Sequence, residues 1–357
     1  MTTGMAAPSV DRARDELWDA VSDRDEYAAA AVLLGVADAG LSVEMILLEV
    51  VAPVQRRVGV EWAANRVTVA QEHAVTAIND RAMAALAHHP AGASETTAGS
   101  VTVACVDGEW HALPARLVAE VLRLRGWRVD FLGAQVPTGH LIVHLHQHNP
   151  DAVALSSSLP TRLPTAHAAI SACQATGIPV VAGGAAFGPD GRYARMLGAD
   201  AWAPDARAAA DLLGGGLRRT AVSLDDPPAP DPLAHLADQE YTMVARSAPQ
   251  LVASTLAGLE QRFPPMRAYN AAQRDRTAED IAHIVDFLAT ALYTDDDDLF
   301  TGFITWTADI LTARGVPAAS LGVVFDILGT RLQDFPRSRR LLAAASDALA
   351  RWGRPDR

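Results

Sequence analysis

From Val101 to about Leu213, short apolar runs rich in β-branched residues alternate with longer amphipathic runs, and this alternation limits the fold more than any other feature. The strand-like runs are Val101–Val106, Trp127–Leu132, Asp151–Ser156, Pro179–Ala182 and a short one at Ala201. Between them, apolar residues recur at i, i+3 and i+4, the spacing of one helix face. Strands alternating with helices predict an α/β domain with a parallel sheet. For five strands the simplest arrangement is the flavodoxin-like (Rossmann-type) order 2-1-3-4-5. Such sheets bind ligands at the carboxyl ends of their strands, so the loops after the strands are where chemistry is expected.

The rest of the chain reads as helix. Leu17, Val21 and Tyr27 begin an apolar face that Ala28–Ala39, Val43–Val58 and Val67–Leu86 continue, with breaks at Ala39-Gly40 and near Gly59. Four segments with short connections predict an up-down four-helix bundle over residues 10–90. Residues 91–100, AGASETTAGS, have the composition of a flexible linker. The α/β domain is then expected over residues 98–217. The Pro- and Asp-dense stretch from Asp225 to Pro232 marks a boundary, and residues 233–354 are expected to form a separate all-helical domain. Its apolar runs are Ile281, Ile284, Val285, Leu288 and Leu292, opened by Thr277-Ala278-Glu279; Phe303, Trp306, Ile310 and Leu311; and Leu321, Val324, Phe325, Leu328 and Leu332.

A formal charge of −12 argues against a surface built for nucleic acid. Cys105 and Cys173 form neither a CxxC pair nor a disulfide framework. The N-terminus lacks the layout of a signal peptide, and no uncharged apolar stretch reaches membrane-spanning length, so a soluble cytoplasmic protein is expected.

Chemistry-bearing residues gather in the loops. Glu109-Trp110-His111 follows the first strand, and a histidine with a carboxylate two residues before it can give one ring nitrogen to a metal while the carboxylate holds the other. Alone, such a histidine is more often an ordinary loop residue. Leu132-Gly133-Ala134-Gln135 follows the second strand, Ser156-Ser157-Ser158 the third, and Gly183-Gly184 the fourth, where missing side chains let a ligand lie against backbone.

Together these loops resemble the cobalamin-binding domain, whose pattern is Asp/Glu-x-His-x-x-Gly, a serine-containing loop and Gly-Gly. The resemblance implies that His111 is the lower axial ligand of the cobalt and Glu109 its partner, with Ser156, Ser158, Gly183 and Gly184 lining a pocket for the nucleotide tail. Pro114 stands where the family has glycine; proline is tolerated in a helix first turn, so a reshaped loop is expected.

In the bundle, Trp62 is followed after nine residues by Glu72-His73. With the bundle-then-sheet order, this resembles the light-sensing part of CarH-type B12 photoreceptors. There the tryptophan caps the upper face of adenosylcobalamin and the Glu-His pair contacts the adenosyl group. Each of the three could equally be a core aromatic or a solvated helix face. CarH-type repressors begin with a helix-turn-helix domain, whereas only about a dozen residues precede the bundle here; with the acidic balance, direct DNA binding is not expected. Ala63 stands where the family can have a histidine that ligates cobalt after photolysis.

A helical domain after such a core resembles the photocobilins, which add a biliverdin-binding domain. By that resemblance Arg274, Arg276 and His283 would serve the bilin propionates, and Tyr269, Phe287, Trp306 and Phe325 would stack on its rings. An ordinary helical core with surface arginines is the competing expectation. The function implied is a light sensor, not an enzyme, that signals by self-association or through a protein partner. A corrinoid methyl carrier is the alternative, and a module that has lost cobalamin is kept open by Pro114. His140, His144, His146 and His148 are expected to be a solvated helix face without an acidic partner, and Asp295–Asp298 a turn that caps the next helix.

Overall fold

A computed structural model describes residues 9–217 and 231–353, which belong to two compact units. Asp225–Pro230, most of the Pro-rich boundary, lie outside the described residues.

The first unit opens with helices α1 (Val10–Ser22), α2 (Glu26–Asp38), α3 (Val43–Met45), α4 (Ala52–Ala63) and α5 (Val69–Ala87). Short polar side chains start all of them but α4. Ser9, Asp25, Ser42 and Thr68 accept from first-turn N–H groups, and Thr68 and Gln71 form a capping box. Leu17, Val21, Ala29 and Leu33 are wholly buried. Tyr27, expected on the same apolar face, is 82% exposed, because the buried face of α2 is Ala29, Leu33 and Ala37, and a residue two positions before Ala29 lies about 200° around the helix from it.

One π-helical segment, Ile46–Val51, joins α3 to α4, so that these three pieces make the bundle's third helix. Pro53 explains it. Proline has no N–H to give the carbonyl four residues back, which is that of Glu49. The Arg14 guanidinium donates to that carbonyl instead, and Ala52 N–H donates to Leu47 O, one residue further back than in an α-helix.

The sheet consists of β1 (Gly99–Cys105), β2 (Trp127–Gly133), β3 (Ala152–Ser156), β4 (Val180–Gly183) and β5 (Ala201–Ala203). All its pairs are parallel and the order is β2-β1-β3-β4-β5, as expected. Val103 lies beside Ala154, Ala154 beside Val181 and Val181 beside Ala201, so the three middle strands are mostly apolar, as covered parallel strands are. Helices α6 (Ala112–Leu124) and α10 (Ala206–Gly214) pack together on one face; α7 (Thr138–His148) and α8 (Leu163–Ala175) pack together on the other, and the short α9 (Arg192–Met196) precedes β5. The end of the expected linker belongs to the sheet domain instead. Gly99 and Ser100 open β1, and the N–H groups of Thr97 and Ala98 both donate to Gly126 O.

Bundle and sheet share one apolar core that runs from Leu17, Ile46 and Met83 through Leu113 and Val121 to Val103 and Val181. The bundle therefore sits on the α6/α10 face of the sheet.

Among its described residues the second unit has five α-helices: α11 (Glu240–Arg262), α12 (Ala271–Thr294), α13 (Asp297–Ala313), α14 (Ala319–Arg331) and α15 (Pro336–Trp352). Helix α12 starts well before Thr277, because Asn270 and Gln273 make a capping box there. Asp296 caps α13 as expected, accepting from Asp298 N–H and Leu299 N–H. Buried Glu240 accepts from Arg337 N–H, Ser338 N–H and the Ser338 hydroxyl, thereby capping α15 from another helix. Among the described residues no helix is long and apolar enough to cross a membrane.

Candidate cofactor site

The loop after β1 is held by a single carboxylate. Glu109 is fully buried, and both of its oxygens are engaged. Oε1 takes the His111 backbone N–H at 2.9 Å and meets His111 Nδ1 at 2.6 Å. Oε2 takes Ser158 N–H at 2.6 Å, Leu159 N–H at 3.0 Å and the Ser157 hydroxyl at 3.1 Å. Gln135 N–H, from the loop after β2, donates to the Glu109 carbonyl at 3.0 Å. Three of the four loops thus converge on one residue. Burial works against the charge of Glu109, but the bonds from His111, Ser158 and Leu159 outweigh it and bring its pKa down to about 2.

His111 is the residue just before α6, and its side chain is half-exposed. The bond from Glu109 raises its pKa, burial opposes this, and the charges of Glu109 and of Glu72 on α5 add to the rise. With Nδ1 committed to a carboxylate, Nδ1 carries the proton and Nε2 presents its lone pair outward, which is the arrangement of a metal-ligating histidine.

The Gly-Gly loop after β4 closes the fourth side. Gly184 has φ +98°, and a Cβ there would come within 2.2 Å of Ser157 O, so only glycine lets this loop lie against the serine loop. Ser157 N–H donates to Gly183 O, and Ala186 N–H to Ser157 O. Beside these loops, a cleft of about 320 Å³ opens between the strand ends, α6, α10 and the bundle's third helix. Its walls are mostly apolar, including Val103, Leu117, Ala154 and Ala182, and Ser156, Gly183 and Gly184 line it. Pro114 lines it too, in the first turn of α6, where its missing N–H breaks no helical bond. Ser158 lies outside that lining and contributes its backbone N–H to Glu109.

On the cap, half-buried Trp62 lies in the last turn of α4 and His73 in the first turns of α5. His73 is 74% exposed, with Nδ1 at 2.9 Å from Val69 O and 2.7 Å from Glu72 Oε2. A polar chain not singled out in the sequence steers Glu72. Asn79 donates to Gln55 Oε1, Gln55 donates to the Thr76 hydroxyl, and Thr76 donates to Glu72 Oε1 at 3.0 Å. Thr76 lies four residues after Glu72 and Asn79 seven, so one polar stripe along α5 was the available signal. Ser157 was the other omission; it sits in the serine run, and nothing local separates it from its neighbours.

The donor set and the cleft fit a corrinoid: an oriented imidazole nitrogen for cobalt, and an apolar slot next to it for a detached aromatic tail. Both cysteines are buried, which pushes each thiol up to about 12, so neither competes as a ligand. The histidines of α7 do acquire an acidic neighbour, since His144 Nε2 lies 3.4 Å from Asp130, and His144 stacks on His148 at 4.1 Å. No group of three metal-ligating side chains occurs among the described residues.

In the second unit, Arg274 pairs with Glu260 at 3.4 Å, while Arg274, Arg276 and His283 are exposed on α12. Trp306 is 45% exposed beside Phe303, which stacks on Phe287 at 3.7 Å. Phe325 is not available for ring stacking on a ligand. It is 2% exposed and packs against Phe300 in the core.

Residues 99–212 match the B12 binding domain, and residues 13–87 match a second model of the same description. The chain is 31% identical over 186 residues to the HTH-type transcriptional repressor CarA of Myxococcus xanthus, covering 50% of this chain and 59% of that one. It is 27% identical over 121 residues to dimethylamine corrinoid protein 3 of Methanosarcina mazei, covering 33% and 71%. The Methanosarcina barkeri monomethylamine corrinoid protein shares the fold, with TM-score 0.51 at 20% identity over 58% of this chain and 99% of that one.

Proposed function

We propose that the first unit is a light sensor that holds adenosylcobalamin between His111 below and Trp62, Glu72 and His73 above. The observation that carries this reading is the His111 imidazole, fixed through Nδ1 by buried Glu109 beside an apolar cleft that the bundle's third helix also lines. Adenosylcobalamin, once bound, supplies a cobalt–carbon bond that light breaks. His111 would hold the cobalt through Nε2. Glu109 keeps the ring from turning and keeps the proton on Nδ1. Trp62 screens the upper face from water, and Glu72 and His73 offer an acceptor and a ring nitrogen to the ribose and base of the adenosyl group. Trp62, Glu72 and His73 would lose their contacts if that group left, and this would bias the packing of bundle on sheet. The output is light-dependent self-association or contact with a protein partner, without substrate turnover.

The second unit, in this proposal, binds biliverdin as an antenna or second chromophore. Arg274, Arg276 and His283 would serve its propionates, and Trp306 with Phe287 would stack on its rings. Similarity to CarA over half of this chain supports a regulatory role.

Similarity to dimethylamine corrinoid protein 3 favours a second reading, a corrinoid methyl carrier for a methyltransferase system. Absorption spectra of protein prepared in darkness with adenosylcobalamin and biliverdin, before and after green and red light, decide between them. A cobalamin change under green light that His111→Ala alters supports the sensor, and a retained red-absorbing bilin supports the second chromophore. Absence of any light response, with methylcobalamin retained and demethylated by a corrinoid-dependent methyltransferase, would overturn it.

A further inference from the structure

Helix α4 and the π-helical segment do more than continue the bundle, because they form one wall of the cleft. Leu48, Glu49, Ala52 and Arg56 all line it, and after Leu48-Glu49 they recur at one-turn spacing along a single face. The cap is therefore built into the same cleft as Ser156 and Gly183.

The charged groups at this opening can be accounted for one by one. Glu49 pairs with Arg14 at 3.6 Å and with Arg207 at 3.7 Å. Arg207 also pairs with Glu44 at 3.1 Å. Asp205 caps α10 by accepting Ala208 N–H. The neighbouring Arg57 points elsewhere, its guanidinium 3.9 Å from the centre of the Trp18 ring. Arg56 remains: exposed, lining the cleft, and without an ion pair or hydrogen bond among the described residues. A mostly apolar slot with one unpaired guanidinium in its lining matches a flat aromatic base carried on a sugar phosphodiester. Guanidinium is the side chain best suited to a phosphate, through two parallel N–H···O bonds.

We propose that Arg56 recognises the phosphodiester of the corrinoid's nucleotide tail, so that a cap residue reads whether the tail pocket is filled. This rests on the cobalamin reading above. It makes the cap sensitive to both ends of the cofactor: Trp62, Glu72 and His73 to the upper ligand, and Arg56 to the tail. A corrinoid without a nucleotide would engage only the former.

The test compares hydroxocobalamin with aquacobinamide, which has the same ring but no nucleotide tail, by titrating the full-length protein, Arg56→Ala and Arg56→Lys spectrophotometrically. Arg56→Ala is expected to weaken hydroxocobalamin binding about tenfold, the usual scale of a charge-assisted contact, and to leave aquacobinamide affinity unchanged. Arg56→Lys is expected to restore part of the loss. Equal losses for both corrinoids, no loss for either, or a lowered melting temperature of ligand-free Arg56→Ala would overturn the proposal. Adenosine monophosphate alone serves as the free-nucleotide arm. Saturable binding of it that Arg56→Ala abolishes would reassign the cleft to free nucleotides. If the unmutated protein bound neither corrinoid, the cobalamin reading itself would fall, a result distinct from any outcome with the variants.

Discussion

The two faces that would enclose a corrinoid are built to different standards. Below, Glu109 is fully buried and makes five contacts from one carboxylate, to His111, Ser157, Ser158 and Leu159, with Gln135 binding its carbonyl. Above, His73 is 74% exposed, and Glu72 is steered by a side-chain chain that runs back through Thr76 and Gln55 to buried Asn79. A lower ligand that must stay on the metal has to be held in one orientation, and many bonds to one buried acceptor over-determine it. An upper face that must release a group and respond to the loss has to remain movable, and exposed side chains on a helix end permit that.

Breaking the rigid side should have the largest effect. Glu109→Ala leaves the Ser158 and Leu159 N–H groups unsatisfied and is expected to cost about 3 kcal/mol in urea unfolding. His111→Ala, at a half-exposed position, should cost under about 0.5 kcal/mol while altering the bound-cobalamin spectrum. Equal stability losses for the two would mean that Glu109 acts only through the imidazole.

Gly184→Ala combines a positive φ with the contact to Ser157 O and should cost roughly 2 kcal/mol. If its melting curve matches the parent, the Gly-Gly loop is not a tight closure.

On the movable side, Thr76→Val cuts the polar chain and should cost about 1 kcal/mol. Its sharper readout is the dark stability of bound adenosylcobalamin, which should fall without any change in hydroxocobalamin affinity. An unchanged dark half-life would detach the chain from the upper face.

The smallest effect concerns the seam between bundle and sheet. Glu44 on α3 bonds Arg125, at the end of α6, and Arg207 on α10, and these arginines, the Arg125 bond foremost, hold its carboxyl below the ordinary value of 4.5. A depressed carboxyl contributes stability above its unfolded pKa and loses it as pH falls through the folded one. Stability conferred by Glu44 should therefore be complete at pH 7 and decline below about pH 4.5. Glu44→Gln should flatten that part of the pH profile by some tenths of a kcal/mol, as for a partly exposed pair. A profile with the same slope in the variant would remove Glu44 from the seam.

Local pattern carried much of this molecule. Apolar alternation alone located five strands to within a residue or two, because a strand covered on both faces has no polar positions to disguise it. The Glu109–His111 pair was legible because two residues in one short loop cannot lie far apart. Boundaries set by single caps were read less well: α12 begins at Asn270, and Gly99 and Ser100 belong to β1. Tyr27 and Phe325 show the limit from opposite sides. Hydrophobicity and spacing gave both a face, but which way that face turns depends on neighbours far along the chain, and Tyr27 ends in solvent while Phe325 ends in the core.

By itself, then, the sequence determined the order of elements, the parallel sheet and the residue types at its carboxyl edge, all of which follow from short-range periodicity and loop length. Tertiary structure alone decided that Ser157 and Gln135 bond to Glu109, that Pro53 leaves the Glu49 carbonyl to Arg14, and that Arg56 of the bundle faces a cleft in the sheet domain. These are contacts between groups tens of residues apart or more. They exist only once burial of the shared core has brought helix and sheet together, and no local pattern encodes where that packing leaves a side chain.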